Sequence, residues 1–368
     1  MAQLTPRTPE DFLFKGYAEA NLDPVRGLQT IKRAFEGRPM MGIALLLRAE
    51  VRALVAQDTG DLKEAEGAVL DVNYAKELLR NNPAALWVSL QVHLAKAGVH
   101  EYRDEPDQRC AELELAGKDA DDLKPFTELP TLLPEAVVYR WAYFREVGRE
   151  EEVLEELRQA SKETDHVAVT FCCALTLYRR GQRGDLEEAL RVLENRRGTY
   201  TDRLLPFVLA EYDYPDKHDW PARARKAYED FAARAQDGVA LMATQSVLCL
   251  LGKKGDAVTA SEALLKQKDP FPLRREPILR CLRYNAGELT ADELVQRAGR
   301  SQWDQCLAHY HVAMTKLAQG DRKGAQEHFD KVIKTRAYGW GEYEMSWVFQ
   351  ARLKDPSWPP WIPKEPAK

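Results

Sequence analysis

The stretch from Leu307 to Ala337, LAHYHVAMTKLAQGDRKGAQEHFDKVIKTRA, constrains this chain more than any other. Val312 and Ala313 lie mid-way along one amphipathic segment, and Ala325, Phe329 and Val332 recur at the helical period along a second. Gly320 can end the first helix in a left-handed conformation at little steric cost, and Asp321 can cap the next. The small side chains of Ala313 and Ala325 let two helices approach closely, with Phe329 filling the groove beside them. Such a hairpin cannot bury its outer face alone, so it requires similar units above and below.

Looser copies occupy the rest of the chain. Thr8-Pro9-Glu10-Asp11 opens a helix, and Gly27, Ile31 and Ala34 form the returning face before Pro39. A second hairpin turns at Thr59-Gly60-Asp61, with a long second helix over 62–80. A third begins at Ala84, places Trp87 and Leu90 on its first helix and turns at Gly98. Its second helix is interrupted at Asp104-Glu105-Pro106. Later hairpins turn at Gly148, Gly181–Asp185, Asp213–Trp220, Gly255, Gly287 and Gly320. The last three glycines stand 32 and 33 residues apart, a repeat period. Trp141 stands where a small residue is usual, which should push the helices of the fourth hairpin apart. Thr290 and Glu293 have the spacing of a capping box.

The fold expectation is all-α: about nine helical hairpins in a superhelix, an α-solenoid, closed by a C-terminal helix and an aromatic, proline-rich tail. N-terminal repeats cover residues 1–116, an irregular connection 117–133, and C-terminal repeats 134–337. Residues 338–368 form the cap and tail, most simply within one continuous solenoid. Trp358-Pro359-Pro360-Trp361 in that tail also has the character of a polyproline-type ligand for another protein.

The balance of charges excludes some functions. A net charge of -5, with both signs interspersed, offers no basic footprint for nucleic acid. There is no apolar signal-peptide core and no run of about 18 apolar residues. The expected location is cytoplasmic, with no membrane partner. The six cysteines form no C-x-x-C pair and are expected to be buried free thiols. No cofactor or metal is expected.

The repeat pattern resembles the tetratricopeptide (TPR) repeat family, most closely over 307–337, although Ala337 occupies the usual proline position. The run from Thr8 to Pro363 further resembles the repeat-bearing C-terminal region of large bacterial serine/threonine kinases. RTPEDFLFKG, LVAQDTGDLKEAE, ALTLYRRG, RYNAGELTADEL and WPPWIP carry that likeness. The kinase signatures G-x-G-x-x-G, H-R-D and D-F-G are missing, so the chain is not expected to phosphorylate anything.

The family resemblance implies a non-catalytic scaffold that binds a peptide or protein partner in a concave groove lined by first helices. Its inward and flanking positions map onto Tyr139 and Tyr143 at the groove edge, Phe171 and Tyr178, Gln245, and Tyr310 and Met314. Aromatic and methionine side chains there can anchor a peptide, or simply pack between adjacent helices. One alternative is a regulatory or docking segment of a kinase-type signalling protein. Another is a hydrolase using the acidic loop 211–219, where Glu211, Asp213, Asp216, His218 and Asp219 surround Tyr212 and Trp220. A solvated inter-helix loop is the simpler explanation of that cluster. His309 and His311, two apart on a helix, point to different sides and do not share a metal easily.

Overall fold

The computed structural model describes residues 5–20, 23–36, 41–80, 82–129, 131–196, 199–214, 220–234, 254–266, 275–337 and 341–362. Among them the chain is all-helical, without a strand. It divides into two compact units, Met1–Glu156 and Leu157–Lys368.

In the first unit, α1 (Pro9–Ala20) pairs with α2 (Pro24–Ala34), α3 (Gly42–Thr59) with α4 (Leu62–Leu78), and α5 (Pro83–Tyr102) with α6 (Pro106–Asp122). A 3-10 turn, η1 (Lys124–Glu128), leads to α7 (Leu133–Glu146), which packs on a second, η2 (Glu150–Val153). Each leading helix touches both members of the preceding pair: α3 meets α1 and α2, α5 meets α3 and α4, and α7 meets α5 and α6.

The local chemistry accounts for the boundaries. Thr8 Oγ1 accepts from the Asp11 N–H at 3.2 Å, while Asp11 accepts from the Thr8 N–H at 3.0 Å. Asp23, Asp61 and Asn82 cap α2, α4 and α5. Gly60 takes φ 72° to close α3, as its turn position requires. Gly16 and Gly27 serve a different end, because a Cβ at Gly16 would fall 2.5 Å from Ile31 and one at Gly27 2.5 Å from Ala20. Only hydrogen at these positions allows α1 and α2 to cross so closely.

Two expectations require correction. The turn of the third hairpin is not at Gly98, which is buried within α5. Val99 packs with Ala56 and Ala65, so burial holds the helix together past the glycine. The chain turns instead at Asp104, with φ 59°, and Pro106 starts α6. That second helix then runs uninterrupted to Asp122, into the segment expected to be an irregular connection.

The core of this unit is a ladder of small and branched residues, with Leu45, Ala49, Val72, Ala75, Val88 and Val92 buried across α3, α4 and α5. Ion pairs tie successive elements around it. Arg48 holds Asp71 through two bonds of 2.7 and 2.6 Å, Lys76 meets Asp119 at 2.5 Å, and Arg140 meets Glu156 at 2.9 Å.

The second unit takes in most of α8 (Leu154–Glu163), then α9 (Val167–Arg180), α10 (Arg183–Asn195), α11 (Thr199–Asp213) and α12 (Trp220–Arg234). After residues outside the description come α13 (Lys254–Lys266), α14 (Arg275–Asn285), α15 (Ala291–Ala298), α16 (Gln302–Ala318), α17 (Arg322–Lys334) and α18 (Gly341–Arg352). The hairpin of α16 and α17 has the expected anatomy. Ala313, Ala325, Phe329 and Val332 are fully buried, Gly320 takes φ 83°, and Asp321 accepts from the Gly324 N–H at 2.8 Å. The Thr290–Glu293 capping box is also formed.

Helix α18 packs on α16 and α17 and reaches back to α9 and α11. Phe349 lies 5.0 Å from Phe207 and 5.7 Å from Phe329, ring centre to ring centre. The tail completes this closure. Trp358 is only 1% exposed, stacks near Phe349 and donates its indole N–H to Glu211 at 2.8 Å. Glu211 also holds Arg352. Arg322 donates to the Leu353 and Asp355 carbonyls at 2.8 Å each, pinning the chain that leads to Trp358. Trp358, the first tryptophan of the supposed polyproline ligand, is therefore interior.

Cys172, Cys173, Cys281 and Cys306 are buried free thiols as expected. Cys110 is exposed, which corrects the expectation for that residue, and Cys249 lies outside the described residues. His309 and His311 do part company. His309 meets His328 of α17, Nδ1 to Nδ1, at 3.0 Å, whereas His311 is fully buried beside Asn285.

Two stability predictions follow from this unit. Trp358→Ala should cost about 3–5 kcal/mol, the usual range for removing a buried aromatic ring. It should lower the denaturant midpoint and speed hydrogen exchange in α9, α11 and α18. As a control in the first unit, Leu70→Ala, at a 60% exposed position, should change stability by no more than about 0.5 kcal/mol. The second concerns pH. Burial, then the neighbouring His328, lowers the His309 pKa from 6.5 to about 4. The unfolded chain thus binds a proton on this ring at a higher pH than the folded one, so stability falls as pH drops from 6.5 towards 4. Denaturation across that window should show His309→Gln losing less stability than the parent, by on the order of 3 kcal/mol.

Candidate functional site

Four leading helices of the first unit bring a polar and aromatic group of side chains together. From α1, the Tyr17 hydroxyl donates to Glu50 Oε1 of α3 at 3.0 Å. From α5, the Trp87 ring stacks on Tyr139 of α7, with centroids 5.7 Å apart and planes 20° from parallel. Gln91, one turn after Trp87, hydrogen-bonds the Tyr139 phenol. Tyr143 follows one turn later on α7, edge-on to Phe144 at 5.2 Å. Its hydroxyl lies over Gly117 of α6, where a Cβ would come within 2.5 Å.

Tyr17, Glu50, Trp87, Gln91, Tyr139 and Tyr143 are all half-buried. Each is held by neighbours yet keeps part of its surface open. That combination suits recognition, because an aromatic ring fixed in place presents area with little conformational entropy left to lose.

The electrostatics of the group are unusual for this unit. Burial pushes the Glu50 carboxyl above its ordinary pKa, and the Tyr17 hydrogen bond only partly reverses the shift. Burial, with the Glu50 charge second, pushes the Tyr139 phenol up to about 12 and raises Tyr17 as well. Glu50 therefore acts on both tyrosines across three helices.

The other residues expected to line a groove are placed differently. Phe171, Tyr178, Tyr310 and Met314 are buried side chains of the second unit. Tyr178 is fully covered, with its hydroxyl 3.3 Å from Trp358 Nε1, because the chain's own tail occupies that side. Tyr310 packs towards Phe329 at 6.4 Å. Gln245 lies outside the described residues. Of the six that are described, only Tyr139 and Tyr143 combine support with access. Tyr17 and Glu50 were not anticipated, yet each directly follows the small residue of its helix, Gly16 and Ala49. That shared register was the available signal.

The described residues of the acidic loop form no comparable centre. Glu211 is committed to Arg352 and Trp358, and Asp213 is fully buried against Arg223 at 2.7 Å. Asp216, His218 and Asp219 lie outside the described residues. No cluster of three metal-ligating side chains occurs among the described residues, and none of their helices is long and apolar enough to cross a membrane.

A cleft of about 610 Å³ opens between α4, α5, α6 and η1, with Leu86, Leu115 and Phe126 among its apolar walls. Of the two acids that line it, Asp119 is held by Lys76. Glu112, outside the lining, pairs with both His93 and Lys96 at 2.7 Å. Leu70, Tyr74 and Leu78 form a separate exposed stripe along α4.

Among known proteins, no family model matches the chain and no curated relative is significantly similar to it.

The Tyr17–Glu50 contact can be tested directly. A hydrogen bond to a carboxylate favours its charged form. Tyr17→Phe should therefore raise the Glu50 pKa further, seen in a carboxyl-carbon NMR titration with Glu50→Gln as the assignment control. An unchanged or lower pKa would contradict the geometry described.

Proposed function

We propose that this chain is a TPR-like helical-repeat scaffold, an α-solenoid without catalysis of its own, that binds a peptide segment of a protein partner across the leading helices of its first unit. The observation that carries the proposal is the half-buried series Tyr17, Glu50, Trp87, Gln91, Tyr139 and Tyr143, drawn from α1, α3, α5 and α7. An extended or helical peptide lying across successive hairpins would meet one or two of these side chains on each. The stacked Trp87–Tyr139 pair is the natural anchor, since aromatic residues in supported positions dominate interface energies.

Three further observations favour binding over catalysis. The Glu211 and Asp213 carboxylates are engaged in structural pairs. In the cleft beside α4, Asp119 is engaged by Lys76. The chain also carries none of the kinase signatures, so the likeness to kinase-borne repeats supports a docking role alone.

Selection of displayed random dodecapeptides on the full chain tests the proposal. Recovered peptides should lose at least about tenfold in affinity against Trp87→Ala/Tyr139→Ala, which removes two hot-spot rings. Leu70→Ala/Tyr74→Ala, on the exposed stripe of α4, should change affinity by less than about twofold. Peptides that bind the Trp87/Tyr139 variant as well as the parent, or no recovered peptides at all, would defeat the assignment.

A further inference from the structure

The same face carries negative charge without its counterpart. Several partly or fully buried acids of the first unit are matched by cations. Glu64 has Lys32 and Arg52, Asp71 has Arg48 and Arg52, and Glu112 has His93 and Lys96. Asp119 has Lys76, Glu146 has Arg109, and Glu156 has Arg140. Glu50 is held differently. Its carboxylate takes one hydrogen bond, from a neutral phenol, and no lysine, arginine or histidine among the described residues pairs with it.

Glu135 adds to this imbalance. It sits one helical turn before Tyr139 on α7, its Oε2 is buried with no hydrogen-bond donor, and its charge also acts on the Tyr139 phenol. Two acids thus converge on one aromatic ring. A half-buried carboxylate with a single hydrogen bond is poorly solvated, and a cation that reaches it recovers much of what burial took away. The electron-rich faces of Trp87 and Tyr139 favour the same sign of charge. A peptide carboxylate or phosphate would instead meet two acids of its own sign.

We infer that the segment bound by this face presents a lysine or arginine, with its charged head on Glu50 and its aliphatic stem against the Trp87–Tyr139 stack. This identification of the ligand's chemistry rests on the peptide-binding function proposed above. Long basic side chains suit the arrangement, because their stems cover apolar surface while the head reaches a charge.

Three fluorescein-labelled random dodecapeptide pools test the inference on the full chain. One contains Lys and Arg but no acids, one Asp and Glu but no bases, and one neither. The parent should retain the basic pool about tenfold better than the neutral pool, the size of one charge-assisted hydrogen bond. Glu50→Gln, similar in shape and still able to accept from Tyr17, should remove that preference. Glu50→Lys should reverse it towards the acidic pool. Thermal unfolding of each variant checks that it is folded. Equal retention of basic and neutral pools by the parent, or a basic preference that survives Glu50→Gln, would overturn the inference and leave peptide binding standing. Retention of no pool by the parent would defeat both.

Discussion

The Glu211 carboxylate holds the second unit together. It lies on α11 and collects the Arg352 guanidinium from α18 and the Trp358 indole N–H from the tail, beside the Tyr178 hydroxyl of α9. Burial raises its pKa, so its charge is tolerable only while these donors remain. Removing one of them would leave a poorly compensated charge in the interior, which costs more than the bond itself contributes. Phe207, Phe349 and Trp358 pack around the node and exclude water from it. Polar and apolar contacts there reinforce each other.

This closure changes what kind of object the second unit is. In a stack of hairpins each repeat touches its neighbours, and stability is a sum of local terms. Here the last helix and the tail touch helices 139 to 180 residues earlier in the chain. Such contacts carry the loop-closure cost of long sequence separation and tie the ends of the unit into one cooperative body. The leading-helix residues Tyr178 and Tyr310 are thereby used for internal packing. In the first unit the series on α1, α3, α5 and α7 keeps open surface, and the proposed binding role falls there.

The local features were legible in the sequence. Helix caps, turn glycines and the small and large positions of the last hairpin each depend on residues within one or two turns of each other. Thr8, Asp61, Thr290 and Asp321 accordingly act as their spacing implies. Gly98 failed as a turn signal because burial of the flanking residues outweighed its propensity, and the real turn used a non-glycine at positive φ. Long-range pairings were less visible. Nothing in the Trp358-Pro359-Pro360-Trp361 run distinguishes a free ligand from a buried plug, since the difference lies in Glu211 and Tyr178, far away in the chain. The candidate surface was half legible. Tyr139 and Tyr143 followed from the repeat register, but Tyr17 and Glu50 acquire meaning only when four helices are set side by side.

Glu50 is also the place where the first unit departs from its own logic. Its helix is otherwise built for packing, with Leu45, Ala49, Ala53 and Ala56 filling the interfaces on either side. An apolar residue at position 50 would spare the desolvation of a carboxylate and add contact with the Trp87–Tyr139 layer. For stability alone, that exchange is neutral to favourable. Six acids of the unit meet their cations within it, so the fold has the means to neutralise charge where structure demands it. A disagreement between levels at an accessible position is what the proposed partner contact would account for. The missing element is a positive charge. A fixed cation supplied by the chain itself would close the face, whereas one supplied by a partner makes the pairing conditional on binding.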